Sequence, residues 1–196
     1  MLQNLPSANA DYSFLVRNIL LAWIPLLIAF SIQGLLPFRR AQSLILPLTT
    51  AIWILFFPNA PYLLTDLQHI RLFADSASIW FDVILLTAFA WTGLLIGVIS
   101  LSMMHRIARR EYGTVAGWVF VFCAFILASS GIYLGRFYHV NSWDLLQRPQ
   151  EIIQDLLIND PSQSLEYIAL YTLFLNFIYI TFIAAAGLMH RQAAQE

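Results

Sequence analysis

Asp66 and His69 stand three residues apart, a spacing that puts both on one side of a helix and brings a carboxylate to an imidazole. Such a pair can serve as general acid and base, and with Asp82 as a further donor it is the start of a divalent metal site. Arg136 adds a guanidinium, suited to hold a carboxylate, a phosphate or a lipid headgroup. Asn59, Tyr62, Thr65, Asn141, Trp143 and Asp144 lie at the same predicted ends of the chain's apolar runs and complete a candidate ligand-binding set. Asp66 and His69 are the catalytic candidates, and Asp66, His69 and Asp82 the metal candidates.

Each of these residue types also has a plain structural use. Asp82 and Arg136 flank apolar runs, where an unpaired charge is costly, so an ion pair between them would satisfy both without a ligand. Asn141 precedes Asp144 at capping spacing, and Trp143 suits a membrane interface. An exposed acid and histidine on a surface helix need no ligand either. His139 is a weaker candidate still. His105 and His190 adjoin arginines and are expected to face water or headgroups.

The elements that must position these residues are membrane spans. Asn18 to Phe38, Ala41 to Thr65, Val83 to His105, Tyr112 to Gly135 and Tyr167 to His190 contain no Asp, Glu, Lys or Arg. Roughly 20 apolar residues at about 1.5 Å each cross a bilayer of about 30 Å, and every run is long enough. The chain therefore reads as all-α, a single polytopic membrane domain over 1–196 with spans at about 18–38, 41–60, 83–105, 112–135 and 165–190. Charged residues are 11% and hydrophobic ones 60%, well away from a soluble domain.

Between spans, Pro58-Asn59-Ala60-Pro61 removes two amide donors and makes the chain turn or restart. Leu63, Leu64, Leu67, Ile70 and Ala74 then recur at helical spacing, predicting a short interfacial helix that keeps Thr65, Asp66, Gln68 and His69 off its apolar face. A second such helix is expected from Pro149, with Ile152, Ile153, Leu156 and Leu157 apolar and Asp160 capping the last span. Gly93/Gly97, Gly113/Gly117 and Gly131/Gly135 have the small-residue spacing of close helix contacts and point to spans 3 and 4 as a packed pair.

All the basic residues are arginine. Arg39, Arg40, Arg106, Arg109, Arg110 and Arg191 fall on one side, which should be cytoplasmic, leaving the N-terminus out and the C-terminus in, in the cell membrane. Arg17 is discordant. The polar set then lies on the outer side, where Trp80, Trp143, Tyr62, Tyr138 and Tyr167 mark the interface.

Several chemistries are absent from the sequence. There is no basic tail for nucleic acid, and Cys123, alone and mid-span, forms no internal disulfide or zinc pattern. H-E-x-x-H, G-x-S-x-G and a Gly-rich phosphate loop do not occur. Ser129 and Ser130 read as packing residues. Asn176 is the main deep polar group, so no chain of internal acids marks an ion path.

Phe57 to His69, Trp80-Phe81-Asp82, Ala90-Trp91-Thr92-Gly93, Gly135-Arg136-Phe137 and Asn141-Ser142-Trp143-Asp144 together resemble the membrane proteins grouped as domain of unknown function family 1361. The likeness covers most of the chain and is specific in its loops. It implies an integral membrane protein and carries over no activity. Asn59, Tyr62, Thr65, Asp66 and His69 match that family's first motif, and Arg136 with Asn141 to Asp144 its last, whereas His139 departs from the pattern.

The leading expectation is an integral membrane protein with an extracytoplasmic polar site for a small or lipid-like anionic ligand or a partner protein. An enzyme at the outer surface, dependent on a divalent metal or without a cofactor, is the second reading. A structural or assembly subunit is the third.

Overall fold

The structure, a computed structural model, describes residues 12–35, 45–73, 79–140, 144–147, 150 and 161–193. Among them there is helix and no strand, and five helices are long and apolar enough to cross a membrane. The protein is an all-helical, multi-pass membrane protein. It forms two compact units, Met1–Met104 and His105–Glu196.

In the first unit, α1 (Ser13–Leu35) buries Leu15, Ala22, Leu26, Ala29 and Ile32, one stripe at helical spacing. The stripe beside it, Val16, Leu20, Trp23, Leu27 and Phe30, is exposed and equally apolar. A helix apolar all round fits a hydrocarbon surround, where the outward face has no reason to be polar. α1 runs against α2 (Ile45–Phe56) and the four-residue α3 (Asn59–Tyr62). On α2, fully buried Trp53 stacks on Phe57 with ring centroids 4.4 Å apart and donates from Nε1 to Ser100 Oγ at 2.8 Å. Such a bond ties two spans together where lipid offers no partner.

The prolines do not turn the chain back. Phe57 N–H still reaches the Trp53 carbonyl at 2.8 Å and Tyr62 N–H the Pro58 carbonyl at 3.0 Å, so the helical path continues through both prolines into a 3-10 helix, Leu63–Phe73. Ala60 N–H bonds Phe57 at 3.2 Å, three residues back, and the Asn59 side-chain amide donates to the Phe56 carbonyl at 2.8 Å. Proline removes donors, and a neighbouring side chain satisfies a carbonyl they leave over.

α4 (Ile79–Tyr112) contributes residues 79–104 to the first unit. At about 1.5 Å per residue it is about 50 Å long, well beyond the hydrocarbon core. It therefore starts before the expected 83 and ends after the expected 105, carrying Asp82 and Arg106, Arg109 and Arg110 on the helix itself. Nothing breaks it until Gly113, whose φ of 91° is open to glycine and hostile to other residues. Gly93 and Gly97 face Ala60, Pro61 and Leu63, so this glycine pair seats α4 on the proline segment.

In the second unit, α5 (Thr114–Phe137) packs along α7 (Pro161–Ala193). Thr172 Oγ1 donates to Ser129 Oγ at 3.0 Å in the buried seam, and the Asn176 amide donates to the Thr172 carbonyl of its own helix at 2.8 Å. Gly117 lies against His105 and Arg109, which places a close approach of spans 3 and 4 at the end where they meet. The start of α7 is four residues earlier than the expected 165, and Pro161 suits a first helical position because its missing donor is unneeded there. The helix expected from Pro149, with Ile152, Ile153, Leu156, Leu157 and Asp160, lies outside the described residues apart from Gln150, as do Ala74, Arg39 and Arg40.

His139 ends α5. Tyr138 N–H and Val140 N–H both reach the Leu134 carbonyl, at 3.0 and 3.3 Å, and His139 makes the link between them at φ 55°. A side chain in that left-handed region costs about 1–2 kcal/mol, against an entropic cost of roughly 0.5–1 kcal/mol for glycine. His139→Gly should therefore raise stability by about 0.5–1 kcal/mol in thermal unfolding of the detergent-solubilised protein, and His139→Val should lower it.

Candidate functional site

The polar end of the first unit is assembled from three segments. The 3-10 helix has three residues per turn, so Leu63, Asp66 and His69 stack in one column. Leu63 is 0% and Asp66 1% exposed, which makes this the inward face. The expectation that Asp66 lies off the buried side assumed 3.6 residues per turn, and the tighter helix overturns it. His69 is at the end of the column and keeps 24% of its side chain exposed.

Asp66 is held from α1. Asn18 Nδ2 donates to its Oδ2 at 2.9 Å, and the His69 ring approaches its Oδ1 at 3.9 Å. His69 Nδ1 lies 3.0 Å from the Asp66 backbone carbonyl. A carbonyl only accepts, so Nδ1 carries the proton and Nε2 is the acceptor nitrogen of the neutral ring. The imidazole also lies against Phe14, with centroids 4.8 Å apart. Asp66 and His69 thus do come together, as their spacing suggested.

Asp82 opens α4, is 1% exposed, and accepts a hydrogen bond from the Tyr12 hydroxyl just ahead of α1. Burial first, then that bond and the carboxylate's charge, push the Tyr12 phenol from its ordinary 10 up to about 12. The folded state binds the Tyr12 proton more tightly than the unfolded chain. Its contribution to stability is complete below pH 10 and is lost as the pH climbs from about 10 to about 12. Subtracting the ultraviolet phenolate titration of Tyr12→Phe from that of the intact protein should isolate a tyrosine ionising near 12.

The remaining members of the first motif have local roles as well. Thr65 Oγ1 donates to the Tyr62 carbonyl at 2.7 Å. With Asn59 on Phe56 and His69 on Asp66, three side chains each donate to the carbonyl three residues back. These bonds stiffen a segment that prolines and 3-10 geometry leave short of regular helix bonds. Trp80 is 76% exposed beside this end, as an interfacial anchor would be.

Arg136 belongs to the second unit, in the last turn of α5, where a cation complements the helix dipole. Tyr133, Phe137 and Tyr167 of the same unit pack together with centroids 4.7 to 5.5 Å apart, and Tyr167 stacks on Tyr171. Asp144 is buried and opens the four-residue α6 (Asp144–Gln147). Asn141 and Trp143 lie outside the described residues, as does the His190 side chain. Among the described residues no group of three or more His, Cys, Asp or Glu could hold a metal ion.

Two residues of this end escaped the sequence reading. Tyr12 and Asn18 sit at the entrance to α1, and a tyrosine and an asparagine where an apolar run begins are ordinary interface residues until the fold shows which carboxylates they meet. His105 departs from expectation more sharply. It is 3% exposed and bonded through Nδ1 to the Tyr179 hydroxyl at 2.9 Å, because α4 continues past the expected span end at 105 and the imidazole there meets Tyr179 from within α7.

No match is found among curated proteins or among solved structures. The family model described as "Protein of unknown function (DUF1361)" matches residues 17–181, a stretch that reaches into all five apolar helices and includes Asn18, Asp66, His69, Asp82, Arg136 and Asp144. The chain belongs to this family, whose function is unknown.

Proposed function

We propose that this membrane protein binds a small or lipid-like ligand at the polar end of its first unit, with His69 presented to the ligand and Asp66 positioning it. The observation that carries the reading is the constraint on His69. Its Nδ1–H is committed to the Asp66 carbonyl and its ring rests on Phe14, so a partly exposed imidazole has one orientation and one tautomer. A fixed acceptor nitrogen beside the buried Asp66 carboxylate suits a ligand that donates hydrogen bonds, such as an ammonium or hydroxyl headgroup. The arginine distribution supports an outer location for His69, with the N-terminus out and the C-terminus cytoplasmic.

Nitrogen-15 spectra of histidine-labelled protein test this, with glycerophosphoethanolamine as the probe and His69→Gln to assign the signal. The probe should shift the His69 Nε2 resonance in the intact protein, identified as the signal that His69→Gln removes. An indifferent His69 signal would overturn the binding reading in favour of the structural one, which the bonds from Tyr12 to Asp82 and Asn18 to Asp66 support by fastening three segments together.

A further inference from the structure

His105 presents a separate problem, in the second unit and independent of the site at His69. Its ring sits edge-on to Trp118 at 4.7 Å between centroids and beside Tyr179, which in turn packs on Phe125. The His105–Tyr179 bond can be made in two ways. With the imidazole donating, the buried Tyr179 hydrogen and the Nε2 lone pair are both left over. With Tyr179 donating to Nδ1, only Nε2–H remains. The second leaves fewer buried polar groups unmet, so Nε2 is a donor, and among the described residues it has no hydrogen-bond partner.

What could accept from it is narrowed by its neighbours. Trp118 brings an aromatic ring, and Gly117 leaves an opening: a Cβ there would come within 3.1 Å of His105 Cδ2 and 3.2 Å of Nε2. The Arg109 stem lies in that opening, against Gly117. Arg109 follows His105 by one helical turn and so shares its side of α4, and Arg106 is the next residue along; both are exposed. Nε2–H and the two guanidinium groups are all donors. A water there would find few acceptors for its own hydrogens, whereas an oxyanion accepts from every one of them.

We propose that His105, Arg106 and Arg109 form an oxyanion site where α4 hands over to α5, taking a phosphate group on the His105 Nε2–H and the two guanidinium groups. Arg109 is exposed and unbranched, so its stem can turn off Gly117 and uncover the imidazole while its charge stays with the anion. The phosphate is that of an anionic phospholipid at the membrane surface or free phosphate, and the chemistry of recognition is shared.

His105→Asn separates the roles of the two ring nitrogens, since its amide can meet Tyr179 in place of Nδ1 and has nothing at Nε2. Arg109→Gln removes the exposed charge without touching the buried ring. Native mass spectrometry of the full chain from phosphatidylcholine nanodiscs containing phosphatidylglycerol should show preferential retention of the anionic lipid, reduced about tenfold in either variant, the scale of one charge-assisted hydrogen bond. Thermal shift with inorganic phosphate in detergent forms the other arm: a phosphate response weakened about tenfold in both variants assigns free phosphate as the ligand, and its absence beside lipid retention assigns the lipid. Tryptophan fluorescence reports whether the Trp118 and Tyr179 packing persists, and Arg109→Gln carries the test alone if His105→Asn does not fold. Lipid retention and phosphate response both absent from the intact protein, or both unchanged in the variants, would overturn the proposal and leave Nε2 to a water.

Discussion

Gly93→Ala is expected to be among the most damaging single-methyl changes in this protein, lowering stability by about 2–3 kcal/mol in thermal unfolding from detergent. The added Cβ would stand 2.7 Å from the Ala60 carbonyl oxygen, 2.8 Å from Leu63 Cδ1 and 2.9 Å from Leu63 Cβ. A rotamer change at Leu63 relieves the second contact only. The first is to backbone and the third to the atom at the root of its side chain, so α4 itself must move off the proline segment. That shift would loosen Ala60 and Leu63, both 0% exposed, and disturb the 3-10 helix that follows. Gly97→Ala provides the internal comparison, because its Cβ would meet Ala60 Cβ at 3.3 Å and Pro61 Cδ at 3.6 Å. A few tenths of an ångström accommodate it, and it should cost under about 1 kcal/mol. Equal losses for the two alanines would mean that glycine acts through helix propensity and not through closeness.

Asp66→Ala should cost about 2 kcal/mol, the second large effect. The substitution strips Asn18 Nδ2 of an acceptor at 2.9 Å and opens a gap at a position 1% exposed. It also withdraws the carboxylate from the neighbourhood of His69 Nδ1 while leaving the backbone carbonyl that the ring is bonded to. The mirror change Asn18→Ala should destabilise by a similar amount, and the double variant by less than the sum, because the two remove one interaction. Asp66→Asn retains an oxygen for Asn18 and is expected to remain within about 1 kcal/mol of the intact protein. It is therefore the variant in which binding at His69 can be examined with the fold preserved. Full additivity of the Asn18 and Asp66 losses would show that their bond is not what stabilises this end.

Much of the architecture was open to reading because the solvent is lipid. Backbone groups in hydrocarbon must bond within their own segment, so a run without charges that is long enough to cross has one structural outcome, and α1, α5 and α7 follow from composition alone. The span ends were harder. α4 runs on through Asp82 and Arg110 because charged residues near the ends of a membrane helix reach the interface without ending it, and only Gly113 does that. Pro58 and Pro61 were read correctly as a loss of donors, yet the consequence depended on Asn59 and Ala60, whose bonds to Phe56 and Phe57 carry the helix through.

From the sequence itself come the five apolar crossings, the family and the closeness of Asp66 to His69, since each depends on local composition or on residues a single turn apart. Burial of Asp66, the meeting of Tyr12 with Asp82, the seat of Gly93 on Ala60 and the enclosure of His105 by Tyr179 and Trp118 depended on tertiary structure. The physical reason is common to all four. In a membrane helix the inward and outward faces are both apolar, so periodicity does not reveal which side meets protein, and the partner of a polar group comes from a segment tens of residues away that only packing brings near.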